Sequence, residues 1–154
     1  MNAEEINELK FDEIKDPSKV LMFFSRKLLD ISNKRIISKS KKDPFFNQFV
    51  ENFRASIQFS TKEGLINKYI IFKANGEIEY SEGILDNPDA TILYRSVKDM
   101  YIMYRSFGDI SEGLVENRFV MKGNLNILFK YGFLLNYINP KKKKIKPRNK
   151  DAQS

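Results

Sequence analysis

Val20, Leu21, Phe24, Leu28 and Ile31 recur at intervals of three and four, the spacing of one helix face. Asp16-Pro17-Ser18 precedes them and reads as a helix start, with Asp16 as N-cap and Pro17 in the first turn, where a missing N–H is no loss. A second start lies at Lys42-Asp43-Pro44, followed by Phe45, Phe46, Phe49, Val50 and Phe53 with the same period. The basic stretch from Asn33 to Lys42 between them reads as loop or frayed helix. Ahead of both, residues 1–15 place Ile6, Leu9, Phe11 and Ile14 among many charges, which predicts a mobile or loosely docked arm.

After Arg54 the period shortens to two. Ser56-Ile57-Gln58-Phe59-Ser60 predicts a half-buried strand. Tyr69-Ile70-Ile71-Phe72-Lys73 predicts a second strand, apolar on both sides, and Asn75-Gly76 a hairpin turn into Glu77-Ile78-Glu79-Tyr80. Asp86-Asn87-Pro88-Asp89 is turn chemistry, and Ala90 to Tyr94 a fourth strand. Ser96 with Asp99 resembles a capping box ahead of a helix whose apolar face is Val97, Met100, Tyr101, Tyr104 and Phe107. Gly108-Asp109 ends that helix, and Ile110 to Val115 reads as a connector. Arg118 to Lys122 predicts a fifth strand stopped by Gly123. Asn124 caps a last helix that Pro140 stops. Grouped strands with segregated helices predict an α+β domain: a five-stranded, mostly antiparallel sheet covered by helices.

The last helix carries more apolar residues than one core-facing stripe requires. Leu128, Leu135 and Ile138 suffice to face a sheet, which leaves Phe129, Phe133 and Tyr137 on another side. The helix at 97–107 likewise adds Ile102 and Met103 to its core face. Two readings follow. The surplus faces are buried by the rest of a small domain or by a partner, or they line a cavity for an apolar ligand, where Met and Phe adapt to irregular shapes.

Composition narrows the chemistry. The 154 residues suit one domain. The chain has no Cys and no His. That excludes disulfides, thiolate nucleophiles, Ser-His-Asp triads and Cys-ligated metal centres. Glu77 and Glu79 alternate with apolar residues on a strand, and Asp86 and Asp89 flank a turn proline, so neither pair reads as an acid–base couple. The glycines form no phosphate-binding fingerprint. No catalytic residue, metal or cofactor is implied, and an enzyme is not expected. No apolar run reaches the ~20 residues of a membrane span, and the acidic start is unlike a secretory signal, so a cytoplasmic location is expected.

The formal net charge of +7 is unevenly placed. Lys141 to Lys150 holds 7 of the 27 cations, and Asp151 is the sole acid beyond Pro140. The first 140 residues thus keep 20 cations and 19 acids. Residues 141–154 are expected as a basic, disordered tail. It serves either as a solvated, solubilising run or as an anchor to an anionic membrane surface. Nucleic acid is a weaker partner, because the body has no basic surplus to support the tail.

Five pieces in order, from Phe59 to Ile138, give a family likeness. They are Ile70-Ile71-Phe72-Lys73-Ala74-Asn75-Gly76, Asn87-Pro88-Asp89-Ala90-Thr91-Ile92, the helix Ser96 to Phe107, Gly108-Asp109-Ile110, and Phe119-Val120-Met121-Lys122-Gly123-Asn124-Leu125. Together they resemble the sterol carrier protein type 2 (SCP-2) domain, over residues 16–140 in topology. The resemblance implies a five-stranded α+β fold without catalytic machinery, with an apolar tunnel between sheet and helices for sterols, fatty acids or acyl chains. On this chain it implies lipid contacts from Met100, Met103, Tyr104, Phe107, Met121, Leu125, Leu128, Phe129 and Leu135. Phe59, Ile71, Ile78 and Ile92 would be inward strand positions forming the opposite wall. Asn117 stands where the family commonly has glycine, and Gly113 where a larger residue is usual. With a Lys, Ile, Asn and Phe-rich composition typical of an AT-rich bacterial genome, these departures favour a fatty acyl ligand over a sterol. The expected function is a stand-alone lipid carrier or lipid-presenting module, serving an enzyme partner or forming a homodimer. The alternative is an interaction subunit that buries the same helix faces.

Overall fold

The computed structural model describes residues 18–105 and 110–138. The arm at 1–15, the start at Asp16, Phe107 and the basic tail lie outside the described residues.

Helix α1 spans Lys19–Lys42 and runs without a break through the stretch expected as loop or frayed helix. Its N-cap is Ser18, whose Oγ accepts from the Leu21 N–H at 3.1 Å, in place of Asp16. Continuity past Asn33 has a physical cause that apolar spacing does not reveal: the buried face carries polar residues. Ser32, Asn33 and Ser40 are buried beside Leu29 and Ile36. Asn33 returns one amide bond to its own helix, Nδ2 to the Leu29 carbonyl at 3.0 Å. Asp43 then closes one helix and opens the next. Its N–H donates to the Lys39 carbonyl, while its carboxylate accepts from Phe45 N and Phe46 N and so caps α2, Pro44–Glu51.

The strands are β1 Ala55–Thr61, β2 Asn67–Phe72, β3 Ile78–Glu82, β4 Ala90–Tyr94 and β5 Phe119–Gly123. They form one five-stranded sheet ordered β3-β2-β1-β4-β5. Three pairings are antiparallel, and β1 with β4 is parallel. The register aligns Ile57 with Ile70 and Ala90, Phe59 with Ile92, Ile92 with Met121, and Tyr94 with Phe119. These positions share the face that the helices cover.

The parallel pair forces the chain after β3 to cross back over the sheet, and it crosses the opposite face. Gln58 holds it there. Its Nε2 donates to the Gly83 carbonyl at 2.9 Å and its Oε1 accepts from Leu85 N at 2.9 Å. β1 is therefore buried on both faces, not half-buried as its alternation suggests.

Helix α3 spans Val97–Arg105, α4 Ile110–Val115 and α5 Leu125–Ile138. Ser96 caps the helix as expected: Asp99 N donates to Ser96 Oγ, and the second bond runs from Ser96 Oγ to the Asp99 carboxylate. The connector at 110–115 is a short helix. Asn124 caps α5 as expected, accepting from Asn126 N at 3.0 Å. Just before it, Gly123 takes φ +93°, and a Cβ there would run into the Asp89 backbone. One core joins Leu29 and Ile36 of α1, Phe46 and Val50 of α2, Met100 of α3, Leu128 and Leu135 of α5, and the inner sheet face.

Candidate functional site

The structure gathers seven of the thirteen expected ligand-contact residues into that core. Phe59, Ile92, Met100, Met103, Tyr104, Leu128 and Leu135 are buried between sheet and helices. Ile78 and Met121 pack against them half-buried. Ile71 does not join them. It pairs with Ser56 and Glu79 on the opposite sheet face, and its neighbour Ile70 points inward instead. Two consecutive isoleucines give no parity, so only the register decides which one faces in. Leu125 and Phe129 stand exposed on α5.

The space between the layers holds hydrogen bonds as well as apolar side chains. Tyr94 Oη donates to Tyr104 Oη at 3.1 Å, Tyr104 and Tyr131 share a bond at 3.3 Å, and Tyr131 Oη donates to Asn33 Oδ1 at 2.9 Å. Burial pushes all three tyrosine hydroxyls well above their ordinary value, so they stay neutral donors and are not bases at physiological pH. Beside this chain, Lys68 Nζ and Tyr80 Oη both donate to Asp30 Oδ1, at 2.5 and 2.6 Å. Burial, and then Asp30 itself, raise the Tyr80 hydroxyl too. Every group in the set has a partner, so the set fastens α1 to the sheet and to α5 and offers no reactive atom.

The concave apolar feature lies one layer out, between α2 and α5. Gln48, Phe49, Asn52, Phe53, Lys130, Phe133 and Leu134 line an open cleft of about 200 Å³. Phe53 and Leu134 form its buried floor, and the Phe53 ring packs tilted against Phe72 of β2, centroids 4.4 Å apart. Phe49 and Phe133 meet at 5.2 Å on its wall. Lys130 supplies the one cation of the lining. A wider groove, lined among others by Lys41, Lys73, Asn75, Glu77 and Ile78, is polar and suits no apolar ligand. Of the cleft residues, Phe49 and Phe53 were visible in the sequence as part of one helical apolar period, and Phe133 as part of the surplus face of the last helix. Nothing local says that the two faces meet.

No family model matches the chain, and no curated protein matches it. Solved structures do. The ubiquinone synthesis protein UbiJ-SCP2 superposes with a TM-score of 0.56 at 8% identity, covering 75% of this chain and 96% of that one. The sterol carrier protein domain 2 of Helicoverpa armigera superposes with a TM-score of 0.52 at 16% identity, covering 77% of this chain and 93% of the other. The protein has the SCP-2-like sterol carrier fold, the fold its sequence resemblance implied. Identities this low establish architecture only.

Proposed function

We propose that the protein is a cytoplasmic, non-enzymatic binding module for a fatty acyl or similar single-chain lipid. The observation that carries this reading is the α2–α5 cleft: an apolar floor of Phe53 and Leu134, aromatic walls, and one lysine at the rim. An apolar chain with an anionic end fits that layout, with the chain against Phe53 and the carboxylate at Lys130. The names of the structural neighbours support it, since sterol and ubiquinone are both apolar molecules with polar ends. At about 200 Å³ the cleft is smaller than the ~300–1,000 Å³ of usual small-molecule sites. It therefore takes one end of an acyl chain, or widens toward the core where the family's tunnel lies.

The test is native mass spectrometry of the purified full chain, followed by solvent extraction and titration with palmitate. A stoichiometric lipid, or saturable palmitate uptake that Lys130→Glu weakens, is expected. A clean ligand-free mass that takes up neither fatty acid nor sterol overturns the reading.

A further inference from the structure

We propose that the joined outer face of α2 and α5 is a docking surface for an anionic phospholipid bilayer. Leu125, Phe129 and Phe133 succeed one another at every fourth residue of α5 and are 48%, 54% and 48% exposed. Phe45 and Phe49 of α2 are 58% and 39% exposed. Ring contacts fuse the two rows: Phe45–Phe49 and Phe49–Phe133 at 5.2 Å, and Phe45–Tyr137 at 6.2 Å. Exposed apolar side chains scattered singly are ordinary, whereas a contiguous row across two helices marks an interaction surface.

Charge selects the partner. Helix α5 has no acid, and Lys130 is its single charged residue. The one acid of α2, Glu51, accepts from Asn47. Lys39 holds its Nζ 5.8 Å from the Tyr137 ring, and Lys41 and Lys42 are exposed at the end of α1. Asp43 is engaged by the α2 cap, by Lys39 at 3.4 Å and by the Tyr137 hydroxyl, and Glu77 shares its groove with Lys41 and Lys73. In sequence, seven further cations follow α5 between Lys141 and Lys150. Phenylalanines at acyl depth rimmed by lysines at phosphate depth is the pattern of interfacial membrane binding.

Hydrogen bonding points the same way. A protein interface carries about one hydrogen bond per 100–200 Å². The five exposed apolar side chains bring no side-chain donor or acceptor, and the Tyr137 hydroxyl is already used. A bilayer asks for none. The docking does not depend on the cleft taking a ligand.

The chain has no Trp, so one substitution makes a clean reporter. Phe129→Trp reads this face, and Ile84→Trp reads an exposed site in the return across the opposite side of the sheet. Full-length protein is mixed with vesicles of phosphatidylcholine alone or with about 30% phosphatidylglycerol added as the anionic lipid. The expected result is binding at least tenfold tighter to the anionic vesicles, a blue shift for Phe129→Trp and none for Ile84→Trp. Phe45→Ser combined with Phe129→Ser should weaken vesicle binding about tenfold while circular dichroism and Tm hold. Absence of binding to anionic vesicles overturns the proposal. So does binding that leaves the Phe129→Trp emission unmoved, which would assign attachment to the basic tail alone. A concentration-dependent blue shift without vesicles, with a doubled mass, overturns it in favour of a second copy. Palmitate titration without vesicles reads the cleft separately, so the two proposals fail independently.

Discussion

Glu63, in the turn between β1 and β2, is a carboxylate without a settled partner. Both of its oxygens are shut from solvent and neither makes a hydrogen bond of normal geometry. The Thr61 hydroxyl and the Val97 amide lie near enough to favour its ionised form, but burial outweighs them and Asp99 adds repulsion. The carboxyl is thus raised above its ordinary 4.5. A raised acid binds its proton more tightly in the folded than in the unfolded chain, so folding is favoured at low pH and loses stability as pH rises through the folded value. Glu63→Gln removes that loss. Its Tm should exceed the wild-type Tm near neutral pH, with the gap closing once pH falls below 4.5. Thermal unfolding across that range decides it, and parallel curves would show that Glu63 is adequately solvated or paired. Glu63 looks like any turn residue in sequence. So do Asn33 and Lys68, whose burial depends on Tyr131 and Asp30, remote in the chain. Polar core residues are the least legible class because their partners are not local.

At the scale of elements, most of the fold was readable. Period-two runs, the Asn75-Gly76 hairpin and the capping residues Ser96 and Asn124 are all local signals, and each marks an observed element. Where reading failed, a tertiary contact decided. The second half of α1 is held by Asn33 and Ser40, and the inward isoleucine of β2 by register. The two departures from the family pattern show the same dependence. Asn117 takes φ 54°, the left-handed conformation that glycine would adopt without strain. Gly113 is buried in α4 directly against the Phe119 ring, and an added Cβ would collide with it. That ring is itself buried and packs edge-on at 5.8 Å against Tyr94. Gly113→Ala therefore sets the helix-propensity gain of up to about 1 kcal/mol against overpacking of about 1–3 kcal/mol, and overpacking should win. Denaturant unfolding should show a net loss, and Phe119→Leu should recover part of it in the double variant. Simple additivity would place the cost elsewhere than in this contact.

For the molecule as a whole, the sheet and the helices above it were foreseeable, while the apolar cleft between α2 and α5 was not. Seven of the expected contact residues are buried between sheet and helices, where Tyr94, Tyr104 and Tyr131 bond in a row. The cleft lies at the seam where α2, fixed by the Asp43 cap, leans on α5. That seam is a property of the assembled chain, since its lining comes from residues more than seventy positions apart. It also supplies a test that leaves the core alone. Gln48 lines the cleft from the exposed side of α2, so Gln48→Trp fills the opening without displacing a buried side chain. A ligand that binds only the folded chain adds about 2.7 kcal/mol of stability at about a hundred times its Kd. Palmitate should raise the wild-type Tm in a concentration-dependent way and leave that of Gln48→Trp unmoved, with the two proteins melting alike in its absence. If palmitate stabilises both equally, the chain is held elsewhere, between sheet and helices, and the aromatic seam serves the membrane alone.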